Sequence, residues 1–252
     1  MNTSEQRERL EDEHQPKEIE ERLDGRKSQS YFRDAILGGI DGAITTFAVV
    51  AGGVGGGFSS VVVIVLGGAS LLADGFSMGV SNYLGTKSEG DRIEQARREE
   101  RHHIRHIPDG ERDEIRRIFA RKGFSGEILE EIVATITEEP ELWVDTMITE
   151  ELGLQVKGPN PLRAGVATFL AFLVVGLIPL IPFLLPKLDI NQAFTISAIV
   201  TAIEFFVIGI AKGVVSNTAI FRSGIETLLT GGGAAVLAYL VGSWLRQAFG
   251  VT

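Results

Sequence analysis

The sequence predicts an all-α membrane protein, with five transmembrane helices per subunit and a small cytosolic helical bundle inserted between the second and third helices. The first observation is five apolar runs, each close to the roughly 20 residues that a helix needs to cross a bilayer. The second is the spread of charge, because residues 88–157 hold 18 acidic and 11 basic side chains while the runs hold few. The runs are residues 34–55, 60–85, 162–186, 192–216 and 225–249.

The positions of lysine and arginine predict how these helices are oriented. Of the 24 basic residues, 22 fall in the N-terminal segment, the 87–163 stretch and the 212–222 connection. Basic residues are retained on the cytosolic side of a membrane, so the N-terminus and the insert are expected in the cytosol and the C-terminus outside. The compact chain, in which we find no organelle-targeting pattern, is typical of a multi-pass protein of a prokaryotic plasma membrane.

The chain is expected to divide into four segments. They are a charged cytosolic N-terminal tail (1–30), transmembrane helices 1 and 2 (31–87), a cytosolic helical domain (88–157) and transmembrane helices 3 to 5 (158–252). Pro179, Pro182 and Pro186 are expected to kink and then end the third transmembrane helix. Glycines four residues apart predict close approach between helices; the pairs are Gly38/Gly42, Gly75/Gly79 and Gly209/Gly213.

Acidic residues inside the apolar runs are the first candidate functional residues, because a charge in a membrane is costly and most often functional. Asp34 and Asp41 lie seven residues apart on the first run, and Asp34 is close to its cytosolic end. The second run carries a polar stripe at steps of four residues: Ser70, Asp74, Met78 and Asn82. Asp41, Asp74 and the Met78 thioether would together hold a dehydrated divalent ion, and protonation of the carboxylates would release it.

Two further acidic residues in the apolar runs allow a structural or a functional interpretation. Glu204 lies in the middle of the fourth run, eight residues before Lys212. It is either a buried carboxyl satisfied by neighbouring helices or kept neutral, or part of a proton relay. Glu226 and Arg222 lie at the cytosolic end of the fifth run, where a structural ion pair is expected.

Residues 88–157 are expected to form amphipathic helices around a small core. The second run should continue as a helix through 92–106, and further helices should begin near Pro108, Ser125 and Pro140, the last running to Gly153. The expected core side chains are Phe119, Phe124, Leu142 and Trp143.

The same insert carries a possible metal site, although charged helices are more often only solvated surfaces. Glu99, His102, His103 and His106 fall on one helical face, and Glu100 with His103 forms a single Glu-x-x-His pair. The other candidate ligands are Glu111, Glu114, Met147, Glu150 and Glu151. Carboxylate and imidazole together suit Fe²⁺, Mn²⁺ and Zn²⁺. The absence of cysteine excludes thiolate sites.

The sequence resembles the vacuolar iron transporter (VIT) family of Fe²⁺ and Mn²⁺ transporters over roughly residues 30–249. The segments that carry the resemblance are RDAILGGIDGAITTFAVVAG, GFSMGVSNYLGTKSE, PELWVDTMITEELGL, IPLIPFLLP and IGIAKG. The resemblance implies a homodimer with five transmembrane helices per subunit and a metal path at the dimer interface. It also implies export from the cytosol in exchange for protons, and a cytosolic metal-binding domain.

The resemblance also implies roles for individual residues. Asp41 and Met78 match the family's intramembrane ligands, and Asp34 matches an acid on the proton or ion path. The matching cytosolic ligand positions are Glu100, Glu111, Glu114, Met147 and Glu151. Three positions depart from the family pattern: Ser70 replaces a glutamate that Asp74 could supply, His103 replaces a glutamate, and Ile148 replaces a methionine.

The sequence therefore predicts proton-coupled transport of Fe²⁺ or Mn²⁺, with Zn²⁺ and Co²⁺ as further candidate ions, by a protein that is not an enzyme and has no tightly bound cofactor. The expected partners are the lipid bilayer, divalent metal ions and a second copy of the chain. The net charge of −9 argues against nucleic acid. One alternative is a membrane-anchored metal-binding or sensing protein. Another is a ferroxidase-like protein, which the single Glu-x-x-His pair disfavours.

Overall fold

The computed structural model describes residues 31–250 and, from the N-terminal segment, residues 7, 11, 12 and 14–25. The expected N-terminal tail therefore lies partly outside the described residues. The chain divides into two compact units. The polar unit contains residues 86–160 with the N-terminal segment, and the apolar unit contains residues 30–85 and 161–252.

The described residues are mostly helical, which confirms the predicted all-α class. The helices are α1 (Pro16–Gly25), α2 (Phe32–Gly55), α3 (Ser60–His106), α4 (Pro108–Arg121), α5 (Gly126–Glu138), α6 (Pro140–Glu150), α7 (Pro161–Gly176), α8 (Ile190–Val215) and α9 (Ile220–Phe249). A 3-10 helix, Ile178–Leu184, follows α7. Within the described residues, five helical segments are long and apolar enough to cross a membrane, the number that the sequence predicts. The last of them begins at Ile220, five residues before the predicted start.

Proline and a capping side chain define the two ends of the connection between α7 and α8. Pro179 and Pro182 have no N–H group to donate, and the chain from Ile178 to Leu184 forms a 3-10 helix in place of a continued α7. Asp189 then caps α8 by accepting hydrogen bonds from the backbone N–H groups of Asn191 (2.9 Å) and Gln192 (3.0 Å). The predicted interruption of the third membrane helix is therefore confirmed.

Helix α7 packs against glycines of both α2 and α3, so that its backbone lies very close to theirs. A Cβ atom at Gly38 would lie 2.3 Å from the carbonyl oxygen of Thr168, and one at Gly42 would lie 2.4 Å from that of Phe172. On α3, a Cβ atom at Gly75 would lie 3.0 Å from the ring of the same Phe172. These contacts confirm the predicted close approach at Gly38, Gly42 and Gly75, because only a residue without a side chain leaves this space.

We expect Gly42→Ala to lower the stability of the apolar unit by about 1–3 kcal/mol, because the new methyl group meets a backbone carbonyl that cannot rotate away. Thermal unfolding of the purified chain in detergent measures the change. Gly68→Ala is the matched control, because a Cβ atom there has no neighbour within 4 Å and alanine favours the helix. Equal unfolding temperatures for the two variants would contradict the backbone contact.

The polar unit has its own apolar core, formed by α4, α5 and α6. Its buried members are Ile115, Leu129, Val133, Ile136, Trp143 and Met147. Trp143 was expected in this core and is 3% exposed, whereas Leu142 and Phe124 are 40% and 41% exposed, so their prediction was wrong. Adjacent residues on a helix point in different directions, and Trp143 rather than Leu142 faces the core.

Other predictions for the polar unit are confirmed with changes at the helix ends. Helix α3 continues without interruption to His106, and α4 begins at Pro108. Ser125 precedes α5 but its side chain makes no capping hydrogen bond, and α6 ends at Glu150 rather than near Gly153.

A buried arginine joins α3 to α6 within this unit. The Arg97 side chain is 10% exposed, forms an ion pair with Asp145 and donates a hydrogen bond to the carbonyl oxygen of Val156 at 3.1 Å. A second carboxylate, Glu141, lies 3.7 Å from its guanidinium group. Because a buried charge without partners is strongly destabilising, these contacts fix Arg97 and with it the position of α3 against α6.

Candidate metal sites

The apolar unit brings Asp41 of α2 and Asp74 of α3 into one region. Their carboxyl groups are close enough for the two charges to interact. The Ser70 hydroxyl, one helical turn before Asp74, donates a hydrogen bond to the Asp74 carboxylate. Met78, one turn after Asp74, is half-buried and packs against the apolar core of the unit. Two neighbouring helices therefore each carry a carboxylate inside an apolar segment, near enough for the two charges to interact.

Asp34 has a different set of contacts. Its carboxylate accepts a hydrogen bond from the Asn82 amide at 3.0 Å, and Asn82 also donates to the Thr168 hydroxyl at 2.7 Å and to the Ala164 carbonyl at 3.2 Å. This polar junction links α2, α3 and α7. Sequence reasoning placed Asn82 on the polar stripe but missed Thr168, because a single threonine in an apolar run carries no pattern.

Glu204 is buried in the apolar unit without a described hydrogen-bond partner. Glu204 is 7% exposed, and neither of its carboxyl oxygens has a hydrogen-bond partner among the described atoms. The Thr201 hydroxyl, one turn earlier on α8, is equally buried and also lacks a described partner. Satisfaction by neighbouring helices, one of the two sequence interpretations, is therefore not observed. Near the start of α9, Arg222 and Glu226 form the expected ion pair at 2.9 Å.

The polar unit contains a cluster of three possible metal ligands: Glu100, His103 and Glu111. One ligand atom from each lies within 4.8 Å of those of the other two. The Nδ1 atom of His103 is 3.6 Å from Oε1 of Glu111. One oxygen of Glu100 and one of Glu111 are buried without a hydrogen-bond partner. Buried carboxylate oxygens without partners are costly, and a divalent cation would satisfy both.

Local helix geometry explains how this cluster forms. Glu100 and His103 are three residues apart on α3, so their side chains lie on the same face. The chain reverses at Ile107, and Pro108 begins α4, which carries Glu111 in its first turn. A carboxylate in the first turn of a helix is favoured by the helix dipole. The short α3–α4 connection thus places a carboxylate of one helix against the ligands of the other.

Two further acids, Glu114 and Glu151, lie near enough to the cluster for their charges to act on it. Burial, together with the neighbouring charges of Glu114 and Glu100, raises the pKa of Glu111 from 4.5 to about 7, and the charge of His103 opposes this shift. Burial and the charge of Glu114 also raise the pKa of Glu151. Four acids that repel one another in the metal-free chain are suited to bind a cation with displacement of protons.

The remaining candidate ligands make contacts with residues outside the Glu100–His103–Glu111 cluster. Met147 is fully buried in the apolar core of the polar unit, and Glu150 forms an ion pair with Lys122. The histidine face that the sequence predicts divides between two neighbouring stripes of α3. His103 lies with the cluster, whereas His102 packs against His106 with 4.1 Å between ring centroids. Glu99 accepts a hydrogen bond from Gln95 at 2.9 Å.

Comparison with known proteins identifies relatives along most of the chain. Residues 32–243 match the model of the VIT family. A protein named vacuolar iron transporter from Toxoplasma gondii is 32% identical over 232 residues, which cover 88% of this chain and 77% of the relative. Vacuolar iron transporter 1 of Eucalyptus grandis is 33% identical over 210 residues, which cover 82% of this chain and 83% of the relative. The protein of the same name from Arabidopsis thaliana is 32% identical, with the same coverage.

Proposed function

Because the chain belongs to the VIT family, we propose that it carries Fe²⁺ or Mn²⁺ out of the cytosol across a membrane in exchange for protons. Family membership and the five apolar helical segments make the chain a multi-pass membrane protein. The relatives described above are named iron transporters. The observation that carries the proposal is the pair of carboxylates, Asp41 and Asp74, whose charges interact within the apolar unit.

We propose that this pair, with Met78, binds the transported ion inside the membrane. Asp41 and Asp74 supply negative oxygens, which Fe²⁺ and Mn²⁺ accept, and the thioether of Met78 adds a softer ligand that favours Fe²⁺ over hard ions such as Mg²⁺. Oxygen ligands without thiolate bind such ions weakly enough to permit release. Asp34, in its junction with Asn82, would lie on the path of ions or protons to this site.

Proton coupling follows from the chemistry of the same carboxylates. A proton and a metal ion compete for one carboxylate oxygen, so each ion that binds displaces protons and each proton that binds weakens the hold on the ion. A proton gradient directed into the cytosol would therefore drive the ion the opposite way.

The polar unit has the chemistry of a collecting site in this proposal. Glu100, His103 and Glu111 would bind ions from the cytosol, with Glu114 and Glu151 adding negative charge nearby. The distribution of basic residues supports a cytosolic location for this unit. A prokaryotic plasma membrane remains our expectation for the whole chain.

An exposed acid supports the proposed homodimer. Asp41 lies on an apolar helix, yet it is exposed on the surface of the single chain. A carboxylate facing lipid would be strongly unfavourable, and a second copy of the chain would cover it.

Transport is tested with the purified chain in liposomes that contain an iron- or manganese-sensitive dye. We expect Fe²⁺ and Mn²⁺ uptake that accelerates when a proton gradient is imposed, and competition among Fe²⁺, Mn²⁺, Co²⁺ and Zn²⁺ ranks their selectivity. Binding of metal without flux would instead favour a membrane-anchored binding or sensing protein. Oxygen consumption coupled to Fe²⁺ oxidation would favour a ferroxidase.

We also propose that Glu204 is part of the proton path, since it is a buried carboxyl without a described hydrogen-bond partner. Glu204→Gln is expected to preserve metal binding but to reduce the acceleration of flux by a proton gradient, because an amide cannot take up and release a proton as a carboxyl does. Flux is measured with and without the gradient.

The matched control is Glu226→Gln, which makes the same change at an exposed ion pair of the same unit. A Glu204→Gln protein whose flux still depends on the gradient as strongly as that of the unmodified chain would contradict the role of Glu204. A loss of thermal stability in Glu204→Gln would point to a structural carboxyl instead.

A further inference from the structure

We propose that His102 and His106 form a second metal site in the polar unit, which chelates a borderline divalent ion such as Zn²⁺, Co²⁺, Ni²⁺ or Cu²⁺ through two imidazole nitrogens. The two residues are four apart on α3 and therefore lie one turn from each other on the same stripe. Their ring centroids are 4.1 Å apart, with 35° between the ring planes. Both residues are exposed, so an ion in solution reaches them directly.

A hydrogen bond fixes the tautomer of one ring in the form that binds metal. The Nδ1 atom of His106 lies 2.7 Å from the carbonyl oxygen of His102. A carbonyl oxygen can only accept, so Nδ1 must carry the hydrogen, and the lone pair of the neutral ring is on Nε2. Metal-binding histidines commonly donate the other ring N–H to a backbone carbonyl in this way, which orients the ring and raises its basicity.

The separation of the two rings suits a shared ion. A Zn²⁺ ion with two nitrogens at 2.0–2.1 Å in tetrahedral geometry requires those nitrogens to be roughly 3.4 Å apart. With the His106 ring held by its hydrogen bond, rotation of the exposed His102 side chain brings the two nitrogens to that spacing from a centroid separation of 4.1 Å.

This site differs in chemistry from the cluster on the neighbouring stripe. Glu100, His103 and Glu111 offer two carboxylates and one imidazole, a set that accepts Fe²⁺ and Mn²⁺. The His102–His106 pair offers only imidazole nitrogen, which prefers ions late in the first transition row. Because neither histidine belongs to the Glu100 cluster, the pair can be tested independently of transport, and its failure would leave the proposed transport function untouched.

The experiment compares Zn²⁺ binding by the full chain in detergent, measured by titration calorimetry, with that of His102→Ala/His106→Ala. Loss of the chelate is expected to remove one Zn²⁺ equivalent or to weaken it at least about 100-fold, because the second ligand acts at high effective concentration. The chain has four histidines, so His14→Ala serves as the matched control and should bind like the unmodified chain. His103→Ala should alter a different equivalent.

Electron paramagnetic resonance of one added Cu²⁺ equivalent provides a second readout. We expect splitting from two nitrogens in the unmodified chain and in His14→Ala, and its loss in His102→Ala and in His106→Ala. Circular dichroism confirms that these surface variants remain folded. Unchanged Zn²⁺ affinity and stoichiometry in the double variant, or an unchanged Cu²⁺ spectrum in both single variants, would overturn the proposal.

Discussion

Asp41→Asn is expected to reduce metal flux at least about 100-fold in liposomes, because the proposed membrane site loses one of its two charges. The amide keeps the shape of the side chain but removes its negative charge. A dehydrated divalent ion in the membrane then lacks one of the two negative charges that would balance its own. Asp74→Asn is expected to act similarly, since the two carboxyl charges interact. The double variant should be little worse than either single variant, because groups that act as a unit are not additive.

The control is Asp189→Asn, the same chemical change elsewhere in the apolar unit. Asp189 caps α8, and asparagine is an equally good N-cap, so neither fold nor flux should change. Flux at the unmodified rate in both Asp41→Asn and Asp74→Asn would remove the proposed membrane site, whatever the polar unit binds.

Glu111→Gln is expected to remove one part of the pH dependence of the stability of the metal-free chain and to weaken metal binding to the polar unit. In the folded chain burial and neighbouring acids raise the pKa of Glu111 to about 7, against 4.5 ordinarily. The folded state therefore holds a proton that the unfolded state releases. The contribution of Glu111 to stability is fully present below about pH 4.5 and is lost as the pH rises through 7. Glutamine stays neutral, so this part of the pH dependence should disappear.

Unfolding temperatures of the full chain, measured from pH 5 to pH 8 with and without Mn²⁺, test this prediction. In the unmodified chain, Mn²⁺ should restore at pH 8 the stability that deprotonation removes. In Glu111→Gln the affinity for Mn²⁺ should fall at least about 100-fold. Losing a ligand should cost more affinity than losing a residue that only hydrogen-bonds to a ligand. Glu130→Gln, at an exposed ion pair with Arg116, is the matched control. The same pH profile in Glu111→Gln as in the unmodified chain would contradict the burial of a proton there.

The sequence was sufficient for those features that depend on periodicity. The lengths of the apolar runs predicted the five helical segments. The spacing of four residues between glycines predicted where a glycine contacts the backbone of a neighbouring helix. The same reasoning identified Asp41 and Asp74 separately, because an acid in an apolar run stands out. It also identified Glu100, His103 and Glu111 as candidates.

Features that depend on tertiary packing were not accessible from the pattern. The sequence identified His103 through its Glu-x-x-His pair with Glu100, but it placed His102 and His106 on the same helical face. One helical face is wide enough to hold all three until a neighbouring helix selects one stripe. The assignment of Met147, which matches a family ligand position, and of Glu150 to the metal cluster stays a prediction. The pattern did not reveal that Met147 is buried in the apolar core or that Lys122 pairs with Glu150. It gave no indication of Thr168, whose role depends on the partner Asn82.

The ring and backbone of Phe172 have a consequence for ion selectivity. Asp41 and Asp74 each immediately precede a glycine, Gly42 and Gly75, and both glycines pack against Phe172, which is fully buried. One rigid aromatic residue thus supports the backbone next to each of the two carboxylates. In the proposed membrane site, this support would limit how far the protein can contract around an ion that is too small or widen for one that is too large.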